Sequence, residues 1–211
     1  MKTTTRITRT VACLALLPFA AAWAEDHHSE APATLFWDDT AEVGTTQLVR
    51  TPNGLNAKFQ TTGLAAGHTM TLWIMFFNNP DACNPQPCTL ADALNPDADF
   101  DFHYGGGHIS SGNKTTISGH LPVNEQSTSG WLELGAPFVT ELTNPMGADV
   151  LLAIHSHGPA RTGTDLVDQI TSYLGGCDVF LGPDGFASGP GDVPTEDGQC
   201  STIQIAVHEA P

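Results

Sequence analysis

Two histidines one residue apart, His155 and His157, close the apolar run V-L-L-A-I-H-S-H that starts at Val150. On a strand, residues two apart point the same way and stand roughly 6.6 Å apart, at about 3.3 Å per residue, so both imidazoles can turn toward one metal ion. Copper or zinc suits imidazole nitrogen, and either needs at least one more ligand. His68, His103, His108, His120 and His208 are the candidates for it, and spacing does not choose among them. The plainer reading is a histidine pair at a strand end, bonded to loop carbonyls, with His157-Gly158-Pro159 as a turn.

Asp97, Asp99 and Asp101 imitate the first three ligand positions of a calcium loop, whose hard carboxylate oxygens suit that ion. Phe102 stands where such a loop needs glycine and His108 where it needs a bidentate Glu, so this is not an EF-hand. On a strand the three carboxylates would share one face, opposite Phe100 and Phe102, and would guard an exposed edge. Asp184, Asp192, Glu196 and Asp197 form a second acidic stretch, read as a solvated loop with a smaller claim to a cation. Nucleophilic catalysis has little support. Ser156 lies between the two histidines and faces away from both, and no G-x-S-x-G occurs. Among 23 acidic residues no spacing singles out a pair for glycoside hydrolysis.

The context of these residues is an exported chain. Lys2, Arg6 and Arg9 precede an apolar stretch from Val11 to Ala22 and the small-residue site Ala22-Trp23-Ala24, the pattern of a cleavable signal over residues 1–24. Cys13 begins that stretch instead of following it, so no lipid anchor is expected. The remaining 187 residues carry four basic and 23 acidic side chains, a charge of −19 that argues against nucleic acid and anionic membrane surfaces as partners. The localisation expected is secreted or periplasmic, with an extracellular or periplasmic ligand.

Four cysteines remain, and an even number in an oxidising compartment suggests two disulfides. Of the three possible pairings the local ones are favoured, Cys83 with Cys88 and Cys177 with Cys200, since each pins a Pro- and Gly-rich loop. Thiolate ligation of a metal is the rival, weakened by the absence of a C-x-x-C pair.

Residues 25–33 read as a flexible leader, whose His27 and His28 are expected in solvent, and residues 34–211 as one domain. Met70 to Phe77, the longest apolar run, reads as a strand buried on both faces. Its rings Trp73, Phe76 and Phe77 belong to a core or line a ligand pocket. Val150 to His157 is a second buried strand, leaving the core at its polar tip. A hairpin turns at Thr51-Pro52-Asn53-Gly54, with Leu55, Ala57 and Phe59 inward, and another joins His108–Ser110 to Thr115–Leu121. One helical turn is expected behind the cap Thr89, and a short amphipathic helix from Thr164 to Leu174, with Leu166, Val167, Ile170 and Leu174 on one side. Ile203, Ile205 and Val207 alternate inward in the last strand.

The runs G-L-x-x-G-H-x-x-T-L-W from Gly63 to Trp73 and F-N-N-P-x-x-C from Phe77 to Cys83 carry a resemblance. So do T-N-P-x-G-A from Thr143, H-G-P from His157 and G-G-C from Gly175. Together they resemble a family of exported bacterial β-rich proteins with no established activity. The resemblance implies a secreted β-rich domain and brings no catalytic residues with it. The fold expected is all-β: an antiparallel β-sandwich, immunoglobulin-like or a related Greek key, with one or two short helices and a barrel as runner-up. The function expected is a binding or interaction module without chemistry of its own; the alternative is a copper- or zinc-binding periplasmic protein or small metalloenzyme built on the His-x-His pair.

Overall fold

The computed structural model describes residues 26–136 and 139–211; the signal segment expected at 1–24 lies outside them. The chain is mostly antiparallel β. Its strands are β1 His27–Leu35, β2 Asp38–Thr51, β3 Gly54–Thr61, β4 His68–Phe77, β5 Phe100–Ile109, β6 Thr115–Pro122, β7 Asp149–Pro159, β8 Val179–Phe180 and β9 Gln199–His208, with helices α1 Gly130–Glu133 and α2 Thr164–Thr171. None of the described helices is long and apolar enough to cross a membrane.

The strands pair in the order β5-β4-β7-β9-β1-β2-β3-β6, and β8 joins β9 in parallel. This is one sheet curled into a nearly closed barrel; the two-sheet immunoglobulin-like layout is not seen. The outer strands of that order, β5 and β6, meet across glycines. A Cβ on Gly106 would stand 2.6 Å from the Ser118 carbonyl oxygen, and one on Gly119 would stand 2.9 Å from the Gly105 Cα. Gly105-Gly106-Gly107 therefore lies inside β5 and brings two edges together.

Residues 27–33, expected as a mobile leader, belong to β1, which runs antiparallel to β2 from His27 opposite Arg50 onward. Pro32 fits there because β1 pairs with β9 only at Thr34 and Leu35, so its missing N–H interrupts no second ladder.

β4 is buried on both faces, as its unbroken apolar run requires. Met70, Leu72, Ile74 and Phe76 point into the barrel with Leu48, Leu55, Phe59, Leu152 and Ile154. Trp73, Met75 and Phe77 point outward into a second apolar layer with Phe100, Phe102, Leu151 and Tyr173. β7 divides the same way. Val150, Leu152 and Ile154 go inward, Leu151 and Ala153 outward.

The outer layer is roofed by irregular chain. Leu90–Asp92 forms the expected turn, with Thr89 and Asp92 in a reciprocal capping box. Cys83 and Cys88 are joined, and Cys177 is joined to Cys200. α2 departs from its expected pattern. It ends at Thr171, Val167 and Leu174 are exposed, and the buried side chain is Gln169. The Gln169 amide donates to the carbonyls of His157 and Pro159 and its oxygen accepts from the Arg161 N–H, so it satisfies the end of β7 beyond Ser156, where the pairing with β9 stops.

In the barrel, Arg50 is fully buried and donates to the carbonyls of Pro145, Ala148, His208 and Glu209. Burial pulls its guanidinium down to about 10, with Asp149 acting in the opposite sense.

Candidate functional site

His155 and His157 share the outward face of β7 with Leu151 and Ala153, as period-two geometry demands. The expectation that the strand end emerges at a rim is corrected: both histidines are 0% exposed. The segment after α2 folds over them, laying Tyr173 on His155 with ring centroids 4.4 Å apart and nearly parallel planes. The two imidazoles meet edge to face at 4.9 Å. Ser156 is buried and its Oγ accepts from the Gly158 N–H, so it has no access to either imidazole.

His157 is fully engaged. Its Nδ1 is 2.8 Å from the Gly175 carbonyl oxygen and its Nε2 is 2.9 Å from Thr71 Oγ1, which also accepts from the Trp73 indole N–H. The tautomer with a proton on Nδ1 satisfies every member of this chain. Gly175 can bring its carbonyl there only without a side chain, since a Cβ would stand 2.1 Å from the Asp168 oxygen, and Gly176 adopts φ +72°. His155 is engaged on one side only. Its Nδ1 lies 3.0 Å from Thr202 Oγ1, whereas Nε2 is buried and has no hydrogen-bond partner among the described residues.

The missing company of the histidines comes from the cysteines. One ligand atom each from His155, His157, Cys177 and Cys200 lie within 4.8 Å of one another. His157 Nδ1 is 3.5 Å from Cys177 Sγ and 3.8 Å from Cys200 Sγ. A bulge in β9 makes this possible. The register between β7 and β9 shifts between Ile154 and His155, placing Thr202 directly opposite His155 and Cys200 two residues back on the same side. The same bulge overturns the expected inward alternation. Ile203 packs inside the barrel, Ile205 packs against the outer layer and Val207 is exposed.

No histidine considered as a third ligand joins this group. His103 is held by Thr128 and the Thr140 carbonyl, with Asp101 3.5 Å away. His208 faces the barrel interior between Ser29 and Thr46. His108 and His120 are exposed, and His68 sits at the entrance of β4. No sequence spacing pointed to the two sulfurs, because β9 and the Gly175-Gly176-Cys177 turn reach the histidines from remote parts of the chain.

The aspartate trio does not form a row. Asp97 lies in the turn Pro96–Ala98, Asp99 has left-handed backbone at φ 55°, and only Asp101 lies on β5. Asp99 and Asp101 instead accept hydrogen bonds from Thr140 and hold its loop, Asp101 also binding the Ser129 hydroxyl. In the second acidic stretch, Asp197 pairs with Arg161 at 2.7 Å and Asp192 accepts from Ser188. Neither set converges as a calcium site would.

Above the histidines opens a cavity of about 710 Å³. Met75, Phe100, Phe102, Trp131, Tyr173, Phe180 and Phe186 line its walls, with the exposed Leu94 and Leu134 beside them, and Asp184 is the one charged lining residue among the described residues. Phe102 packs edge to face with Trp131 at 5.3 Å and with Tyr173 at 5.2 Å, while Tyr173 and Phe180 stack. Tyr173 thus serves as cavity wall on one side and as cover for His155 on the other. Glu133 of α1 fixes it there by accepting from the Tyr173 and Leu174 N–H groups. The rings singled out from the sequence, Trp73, Phe76 and Phe77, are core residues and line no part of the cavity.

Burial governs protonation throughout the site. His155 is driven well below its ordinary value by burial and then by the neighbouring His157. Burial takes His157 to about 4, the Gly175 carbonyl opposing, and raises the Tyr173 hydroxyl to about 12. The site is therefore electrically neutral near pH 7, a histidine–disulfide cluster under an aromatic cavity. No family model, curated protein or solved structure matches the chain, so the roles of these residues are assigned by geometry alone.

Proposed function

We propose that this protein is an extracytoplasmic binding module that takes up an apolar aromatic small molecule, neutral or positively charged, in the cavity bounded by Trp131, Tyr173 and Phe186. The observation that carries the proposal is the cavity itself. At about 710 Å³ it has the size of small-molecule sites, and its lining is almost wholly apolar. Ring faces attract flat ligands and cations alike. Asp184 at the lining and a net charge of −16 favour cations over anions. Two disulfides support an oxidising compartment, in keeping with a secreted or periplasmic protein.

Copper or zinc carried by His155 and His157, the other function suggested by the sequence, has less support in the disulfide form. There the two sulfurs are bonded to each other and both ring nitrogens of His157 are occupied.

The test is calorimetric titration with matched aromatic probes bearing positive, zero and negative charge, together with Ala93→Phe to fill the cavity and Asp184→Asn to remove its charge. Asn tolerates the left-handed backbone of residue 184, so the second variant isolates the charge. Binding of the cationic and neutral probes, abolished by Ala93→Phe and with the cation preference lost in Asp184→Asn, supports the proposal. Absence of binding by all three probes, or equal binding in Ala93→Phe, overturns it.

A further inference from the structure

We propose that reduction of the Cys177–Cys200 disulfide turns the cluster beneath the cavity into a tetrahedral zinc site, with His155, His157, Cys177 and Cys200 as its four ligands.

The four donors are already gathered within 4.8 Å. Zinc bonds of about 2.3 Å to sulfur and about 2.0 Å to nitrogen at tetrahedral angles set sulfur and nitrogen roughly 3.5 Å apart. His157 Nδ1 stands 3.5 and 3.8 Å from the two sulfurs, so those two edges of the tetrahedron exist before any metal enters. The sulfurs must part to about 3.8 Å once their bond is broken, and His155 must close from within the 4.8 Å grouping to bonding distance.

The histidines are prepared in different ways. His155 has Nδ1 oriented by Thr202 and leaves Nε2 buried without a hydrogen-bond partner among the described residues, the arrangement in which one ring nitrogen is steered by a hydroxyl and the other is free to ligate. A buried unpaired polar nitrogen destabilises a fold and calls for an explanation; ligation in a second state of the protein provides one. His157 must release the Gly175 carbonyl to ligate through Nδ1. Its proton then moves to Nε2 and is donated to Thr71 Oγ1, whose own hydrogen turns to the His155 carbonyl oxygen 3.5 Å away.

The redox step balances with a dithiol reductant. Its thiolate attacks Cys177 Sγ, the less buried of the two sulfurs, and Cys200 leaves as a thiolate. The second thiol of the reductant resolves the mixed disulfide. The reductant becomes a disulfide, and Cys177 and Cys200 hold two electrons and two protons. Zn²⁺ then displaces both thiol protons into solvent, giving a neutral centre of two thiolates and two neutral imidazoles that is compatible with full burial. The disulfide form, with sulfurs bonded to each other, lacks two of the four ligands, so metal affinity follows the thiol state.

The experiment uses the full chain carrying Cys83→Ser and Cys88→Ser, so that one cysteine pair remains. The protein is reduced anaerobically with a dithiol, freed of it by gel filtration, and titrated with Co²⁺ and then Zn²⁺, beside an unreduced sample. The expected result is one Co²⁺ per chain showing thiolate-to-cobalt charge transfer and tetrahedral d–d absorption, displaced by one Zn²⁺, with no such bands in the disulfide form. His155→Gln and His157→Gln should each weaken Zn²⁺ binding by more than the roughly 10–100-fold that loss of a supporting hydrogen bond costs. Absence of the bands in the reduced protein, equal bands in the disulfide form, or a reduced chain that is unfolded by circular dichroism with and without Zn²⁺ overturns the proposal. If the glutamine variants do not fold, the cobalt spectrum of the parent protein decides, since it reports thiolate ligation and coordination geometry directly.

Discussion

The Tyr173 ring lies flat on the imidazole of His155, centroids 4.4 Å apart, and separates the histidine cluster from the cavity above it. One side chain therefore couples the two candidate sites. Tyr173→Ala removes a buried ring from between them and is expected to cost about 3–5 kcal/mol in chemical denaturation. Tyr173→Phe keeps the stack and loses only the hydroxyl contact to Thr202, so a loss near 1 kcal/mol is expected. Retention of aromatic-probe binding in the phenylalanine variant and its loss in the alanine variant would locate the effect in the ring.

Stability should fall as the solution is acidified below pH 6.5. His157 and His208 are both lowered to about 4, chiefly by burial, and His155 is also lowered well below its ordinary value, by burial and then by His157. Each takes up its proton more readily unfolded than folded, so the unfolded chain binds more protons between pH 6.5 and 4. The contribution is complete above pH 6.5 and is lost as pH drops toward 4, up to about 3 kcal/mol for each of His157 and His208. Melting temperatures measured from pH 7 to 4 check this, and His208→Gln should flatten part of the slope.

Arg50 holds four carbonyl oxygens inside the barrel end, from Pro145, Ala148, His208 and Glu209. Arg50→Ala removes the donor from three buried carbonyls and one partly buried one, and is expected to destabilise by about 3–5 kcal/mol. Arg50→Lys supplies one ammonium where a planar fork made four bonds, and should recover less than half of the loss. Urea denaturation of the two variants measures both.

The disulfides should differ in weight. Cys177 and Cys200 are 23 residues apart and Cys83 and Cys88 are 5 apart. Chain-entropy arguments give about 3 kcal/mol for the longer loop and about 2 kcal/mol for the shorter one. Serine replacement of each pair, followed by thermal unfolding under nonreducing conditions, should show that order. The Cys177 and Cys200 pair should in addition loosen the cavity wall, because the loop it closes carries Phe180 and Phe186.

What the residues alone determined was local or periodic. An unbroken apolar run is too hydrophobic for a strand with one wet face, so Met70 to Phe77 had to be buried on both sides, and so it is. Side chains two apart on a strand share a face, so His155 and His157 had to stand together. Cysteines brought near each other by short loops were the natural pairs. What only the tertiary structure decided depends on contacts between distant segments. Whether the strands form two sheets or one curled barrel rests on β5 and β6 meeting through their glycines, a closure that no hydrophobic pattern encodes. The bulge at Ile203 exchanges the two faces of β9 and sets Cys200 beside His157, and a single unpaired residue leaves no periodic trace. The depth of the histidines was invisible for a related reason. Strand polarity says which way a side chain points, but burial depends on what later folds over it, here the segment carrying Tyr173.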